Sequence, residues 1–199
     1  MPINSKYITP FIPHEFYHVY NRCPSNKKMF IEKKDYFFFL DLIKKYLVSH
    51  ADIYAYSLIP NHFHLFIRIK EVLNYFEKID TNQVITNQFR KLFISYTTSF
   101  NKQYGIHGSL FSTPFRRIMI TSDSYLSQLI YYIHYNAIHH NICTHPSQYL
   151  FSSYNSIISD KLTLLRRKEV LSWFGGIESF IKSHELMKLK FINFPFCNE

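Results

Sequence analysis

Glycine is scarce in this chain: four residues in 199, beside eight prolines and a single tryptophan. That excludes collagen-like and Gly-rich low-complexity architectures. Cysteine is nearly as sparse. Cys23, Cys143 and Cys197 lie far apart with no CxxC pair, which argues for reduced thiols and against a disulfide framework or zinc finger. No apolar run approaches the roughly 20 residues of a membrane helix, and no membrane association is expected. The opening stretch MPINSKYITPFIPHEFYHVYNR has no apolar signal core. Acidic residues are few: 14 Asp and Glu face 23 Lys and Arg, a formal charge of +9. From Thr81 to Ser159 the only acidic residue is Asp123, while the same span carries Arg90, Lys91, Lys102, Arg116, Arg117 and five histidines. A polyanionic partner would be drawn there, either nucleic acid or an anionic membrane face. A merely soluble basic protein is the plainer alternative.

What is abundant is aromatic: 20 Phe and 16 Tyr within a hydrophobic content of 47%. That suffices for one packed domain with a small appendage. EFYHVYNRC alternates like a strand, and a helix follows over about residues 34–50. DIYAYSLI and HFHLFIRIK read as two strands around a Pro60-Asn61 turn. Residues 71–79 are ambiguous. From Thr81 a helix carries Val84, Phe89, Leu92, Phe93 and Tyr96 on one stripe and ends at a Gly105 cap. FRRIMIT is a fourth strand. A third long helix starts at a Ser/Asp cap in SDSYLSQLIYYIHYNAIHH. The order β-α-β-β-α-β-α predicts an α+β fold: a ferredoxin-like, split βαβ antiparallel sheet with helices packed on one face. Residues 1–159 form that domain. Residues 160–199 form a helical extension of two short helices around Gly175-Gly176.

Within YSLIPNHFHLFIRIK, His62 and His64 are two apart and share one face of a strand. Two readings stay open at this point: half of a divalent-metal site, or two exposed histidines on a polar face. On the third helix Tyr132 and Asn136 are i and i+4, so they too share a face. An amide oxygen beside two imidazoles suits Mg²⁺ or Mn²⁺ better than zinc. A tyrosine one turn away would sit near a phosphate held by that ion. With 16 tyrosines in the chain, chance spacing is the competing reading. His139 and His140 read as helix-terminal residues facing the dipole, and His18 as a strand residue facing solvent or the sheet edge.

YSLIPNHFHLFI resembles the MPNHVHLL segment of the HUH-class tyrosine transposases. FYHVYNRCPSNKKMF resembles that family's opening YHVTNRG strand and turn. SDSYLSQLIYYIHYNAIHHNI is similar to its DxYLLxLLRYIHLNPVRAGL helix, and FSSYNSI to its WSSY segment. The likeness runs in order from about Phe16 to Ile157 and points within the class to the REP-associated tyrosine transposases. Two departures stand out. Ala137 replaces the proline that usually follows the asparagine, and LFSTPFRR replaces LWQGRF.

The resemblance implies a metal-dependent, single-stranded DNA endonuclease and strand transferase. Tyr132 falls on the nucleophile, with Tyr131 on a variable position. His62, His64 and Asn136 fall on the ligands of a Mg²⁺ or Mn²⁺ ion. Arg90, Lys91, Arg116 and Arg117 would hold the backbone of hairpin DNA. A monomer or homodimer, cytoplasmic and associated with a bacterial nucleoid, is implied as well. The rival reading is a non-catalytic single-stranded nucleic-acid-binding protein derived from a transposase.

Overall fold

The computed structural model describes residues 7–24, 27–71, 80–122 and 124–187. In chain order the elements are β1 (Phe16–Arg22), α1 (Lys33–Tyr46), β2 (Ala51–Ile59), β3 (His62–Ile69), α2 (Thr81–Tyr104), β4 (Arg116–Ile120), α3 (Ser124–His139), α4 (Tyr154–Ile158), α5 (Arg167–Phe174) and α6 (Ile177–Met187). The four strands pair antiparallel in the order β2-β3-β1-β4. This is the α+β, split βαβ arrangement that the sequence predicts. Parts of the sequence reading fall outside the described residues: the ambiguous stretch at 72–79, the Asp123 half of the α3 cap, residues 1–6 of the predicted domain and residues 188–199 of the predicted helical extension.

Local chemistry accounts for the elements. Asp80 caps α2 by accepting from the Gln83 N–H at 3.1 Å. Gly105 ends that helix at φ 63°, a left-handed conformation that costs a residue without Cβ little. The first long helix is shorter than expected, because residues 47–50 make a turn that delivers Ala51 directly into β2.

One sequence expectation needs correction: helices cover both faces of the sheet. On one face, α1 and α2 pack Phe39 and Phe93 against Phe63, with ring centroids 5.1 and 5.9 Å apart. On the other, Tyr132 of α3 packs on His64 and Trp173 of α5 stacks on Tyr54 at 5.0 Å. The physical reason lies in β1 and β3, the two interior strands. Apart from Asn21, Arg22 and Arg68 near the strand ends, both alternating sets of their side chains are aromatic, aliphatic or imidazole, so each face presents a surface that needs covering.

Residues 160–187 complete the second cover. Glu169 of α5 accepts from the Tyr54 hydroxyl at 2.8 Å and pairs with Arg68 at 3.0 Å. Arg68 and Arg166 also reach Asp52, at 3.1 and 3.0 Å. Phe180 of α6 is fully buried.

Candidate active site

Alternation along the two central strands builds the floor of the site. His18, Tyr20 and Arg22 of β1 share a face with Phe66, His64 and His62 of β3, their respective cross-strand partners. Helix α3 crosses this floor. The Tyr132 ring stands edge-on to His64 and His18, with centroids 5.3 and 5.8 Å away. One turn further on, Asn136 Oδ1 is 3.0 Å from His62 Nε2. The four residues read from HxH and Tyr-x3-Asn therefore meet in one place. Tyr131 does not join them. It turns the other way, against Phe174 at 5.3 Å and His184 at 4.5 Å.

The constellation is enclosed. His64 is fully buried and Asn136, Tyr132 and His62 are 2%, 4% and 6% exposed. Access runs along His62, which lines a pocket of about 220 Å³ with Tyr20, Asn21, Arg22, Ser112, Pro114 and Arg116. Burial governs the charge state. It pushes His62 down to about 3, helped by nearby His140, and holds His64 well below the usual imidazole range. Both are neutral at pH 7, the form that offers a ring lone pair to a cation.

The hydrogen bonding of His62 tests whether an ion fits. Its Nδ1 is 2.9 Å from Asn61 Oδ1 and its Nε2 is 3.0 Å from Asn136 Oδ1, so both ring nitrogens face amide oxygens. A neutral imidazole has one N–H to donate. Donation to Asn61 leaves the Nε2 lone pair directed at the lone pairs of Asn136. A cation shared by the two atoms would resolve that conflict, as would turning either amide to present its NH₂. The donor set of two imidazoles and an amide oxygen fits a divalent ion.

Two participants were missed in the sequence reading. His18 is fully buried rather than facing solvent or the sheet edge, with its Nε2 2.9 Å from His64 Nδ1. Burial lowers it to about 3. The signal was available: His18 has the parity of Tyr20 and Arg22 on a strand with apolar residues on both faces. His140 was read as a helix-terminal residue facing the dipole. Its ring lies 4.8 Å from His62, and it continues the spacing of four that links Tyr132 and Asn136.

The predicted basic residues do not converge. Arg116 is on the site's face, opposite Tyr20, with its guanidinium 5.7 Å from that ring. Arg117 is on the opposite face, 8% exposed, donating from Nε to the Thr9 carbonyl at 2.9 Å. Arg90 and Lys91 are exposed on α2, in the layer behind the sheet. Arg22, at the mouth of the His62 pocket, was not predicted.

No helix among the described residues is long and apolar enough to cross a membrane. No protein-family model and no curated protein matches the sequence. Among solved structures, the chain is similar to a REP-associated tyrosine transposase bound to a REP hairpin. The two share 16% identity at a TM-score of 0.61, over 82% of this chain and 88% of that one. At that identity the likeness shows the fold alone: this chain has the transposase-like fold.

Proposed function

We propose that this protein is a metal-dependent single-stranded DNA nuclease and strand transferase acting on hairpin DNA. One observation carries the reading. A tyrosine, two imidazoles and an amide oxygen, drawn from β3 and α3, meet where the resemblance to the tyrosine transposases requires them. The hairpin in the solved structure of similar fold supports the substrate class.

In this reading the Tyr132 hydroxyl attacks the scissile phosphorus. A phosphotyrosine bond to the 5′ phosphate forms and the bond to the 3′ oxygen breaks. The phenol gives up its proton and the departing 3′ oxygen gains one. A 3′-OH from another strand reverses the step, so strand transfer needs no external energy. His62, His64 and Asn136 would hold the ion, which when bound polarises the phosphate and offsets charge on its oxygens. Arg22 and Arg116 line the approach and would hold the flanking backbone.

The enclosure of the site favours a second reading, a binding protein that keeps the fold without the chemistry: His64 is fully buried and Tyr132 nearly so. A covalent-adduct assay separates the two. Labelled hairpin oligonucleotides with Mg²⁺ or Mn²⁺ are expected to give a denaturant-resistant band. Tyr132→Phe and His64→Ala should lose it and Tyr131→Phe should keep it. Tight hairpin binding with no adduct under any condition would establish the binding-only reading.

A further inference from the structure

We propose that His140 is a further ligand of the divalent ion assigned to His62, His64 and Asn136, and that it tips this site toward Mn²⁺ and away from Mg²⁺. The inference rests on the metal-dependent reading above.

Position is the first argument. Tyr132, Asn136 and His140 follow one another at intervals of four, so His140 continues the line of α3 that covers the HxH strand. Its ring lies 4.8 Å from that of His62, no farther than the 5.0 Å between His62 and His64. The resemblance does not account for it. The family's helix runs on from its asparagine as NPVRAGL, and this chain reads NAIHHNI, so His140 stands where that helix has alanine.

The backbone of His140 is already fixed. Its N–H donates to the Asn136 carbonyl at 3.1 Å. Asn141 then turns into the left-handed region at φ 56°, and the Ile142 N–H closes the end of the helix on the Ala137 carbonyl at 2.9 Å. The helix end is therefore capped by backbone, and the His140 ring bonds none of its carbonyls. That ring is exposed and makes no hydrogen bond or ion pair among the described residues. Among those residues no three histidine, cysteine or carboxylate side chains are already placed to hold an ion. Joining His62 and His64 asks only for rotation of the His140 side chain, which nothing polar restrains.

Donor chemistry gives the consequence. Mg²⁺ favours oxygen donors and keeps much of its water, whereas imidazole favours first-row transition ions. Two imidazoles and an amide oxygen leave Mg²⁺ and Mn²⁺ in competition. A third imidazole is a donor that Mn²⁺ uses better than Mg²⁺ does.

The test is calorimetric titration of the full chain, without DNA, with Mn²⁺ and with Mg²⁺. Mn²⁺ should bind more tightly. His140→Ala, at an exposed position that leaves the fold intact, should weaken Mn²⁺ binding by at least about 10-fold, since losing even an outer hydrogen-bond partner of a ligand typically costs that much. Mg²⁺ binding should weaken less. His139→Ala should change neither. Spin-echo spectra of bound Mn²⁺ should show one coordinated imidazole nitrogen fewer in His140→Ala. Unchanged Mn²⁺ affinity and nitrogen count in that variant, with binding lost in His62→Ala, would overturn the role of His140 and leave the other three ligands standing. Mn²⁺ binding lost in both His139→Ala and His140→Ala but kept in His62→Ala would reveal a surface histidine pair, and would overturn the proposal too. Failure of the wild type to bind either ion would sink the metal-dependent reading along with it.

Discussion

His18 Nε2 and His64 Nδ1 lie 2.9 Å apart in a pair with no exposed surface. For His64 to offer its Nε2 lone pair to an ion, its proton must sit on Nδ1, and His18 Nε2 accepts it there. In the proposed metal site this contact would hold the tautomer and ring orientation of His64. Loss of such a partner typically lowers metal affinity about 10–100-fold. His18→Phe should therefore weaken Mn²⁺ binding, measured by calorimetric titration, by that order. His18→Gln, whose amide oxygen can accept the same proton, should recover part of it. Equal affinity in wild type and His18→Phe would show that the pair does not support a metal ligand.

The parts of this site legible in the sequence are those on a fixed local period. Two-residue spacing placed His62 and His64 together, and four-residue spacing placed Tyr132 above Asn136. The β2–β3 hairpin also followed from local patterns, since the Pro60-Asn61 turn does join β2 to β3 with Ile59 opposite His62. What was not legible depends on pairing between distant segments. His18 meets His64 only because β1 and β3 lie side by side, 46 residues apart in sequence. The basic residues show the same limit: Arg116 and Arg117 are neighbours in sequence, yet strand alternation sends them to opposite faces. The second helical layer was missed because a strand apolar on both faces resembles a half-buried one whenever its polar members are histidines.

Five buried histidines give the fold a direct acid sensitivity. Burial pushes His18 and His62 to about 3 and His184 to about 4, and holds His64 and His134 well below the usual range. Above pH 6.5 each is neutral both folded and unfolded and adds no pH dependence. Below it the unfolded chain takes up protons that the folded chain refuses. Stability is then lost as pH falls from about 6.5 toward the folded values, by up to ~1.4 kcal/mol per pH unit for each group. Urea unfolding at pH 7, 6 and 5 should show a steep fall in midpoint. A midpoint unchanged down to pH 5 would contradict the buried, neutral assignment.

A second buried chain of hydrogen bonds joins α3 to α6, and its proton positions follow from one carbonyl. His184 Nδ1 donates to the Phe180 carbonyl at 2.8 Å, so His184 Nε2 accepts from His134 Nδ1 at 3.0 Å. His134 Nε2 then accepts from the Ser153 hydroxyl at 2.8 Å, while Ser153 Oγ accepts from the Tyr56 N–H at 2.9 Å. Ser153→Ala would leave a buried ring nitrogen and a buried backbone N–H unsatisfied, at about 1–3 kcal/mol each. Chemical denaturation should show a loss of at least ~1 kcal/mol. Ser153→Thr, which keeps the hydroxyl, tests whether the hydroxyl rather than the volume matters.

Arg116 and Arg117 should respond oppositely to truncation, although each is the other's neighbour. Arg116 is half-buried at the mouth of the His62 pocket, where a phosphate would lie. Arg116→Ala should weaken hairpin binding, lower the slope of log affinity against log salt by about 1, and leave thermal stability within a degree or so. Arg117 has its guanidinium 5.1 Å from the Phe11 ring and 5.0 Å from the Phe115 ring, and its hydrogen bond to Thr9 ties the chain before β1 to β4. Arg117→Ala removes that packing and leaves the part-buried Thr9 carbonyl without this donor, at a cost of about 1–3 kcal/mol. Its main effect should be a lower melting temperature. The salt slope on the bare hairpin should stay near that of the wild type. A reversal, with Arg117→Ala changing the salt slope and Arg116→Ala the stability, would mean that DNA approaches from the α2 side of the sheet.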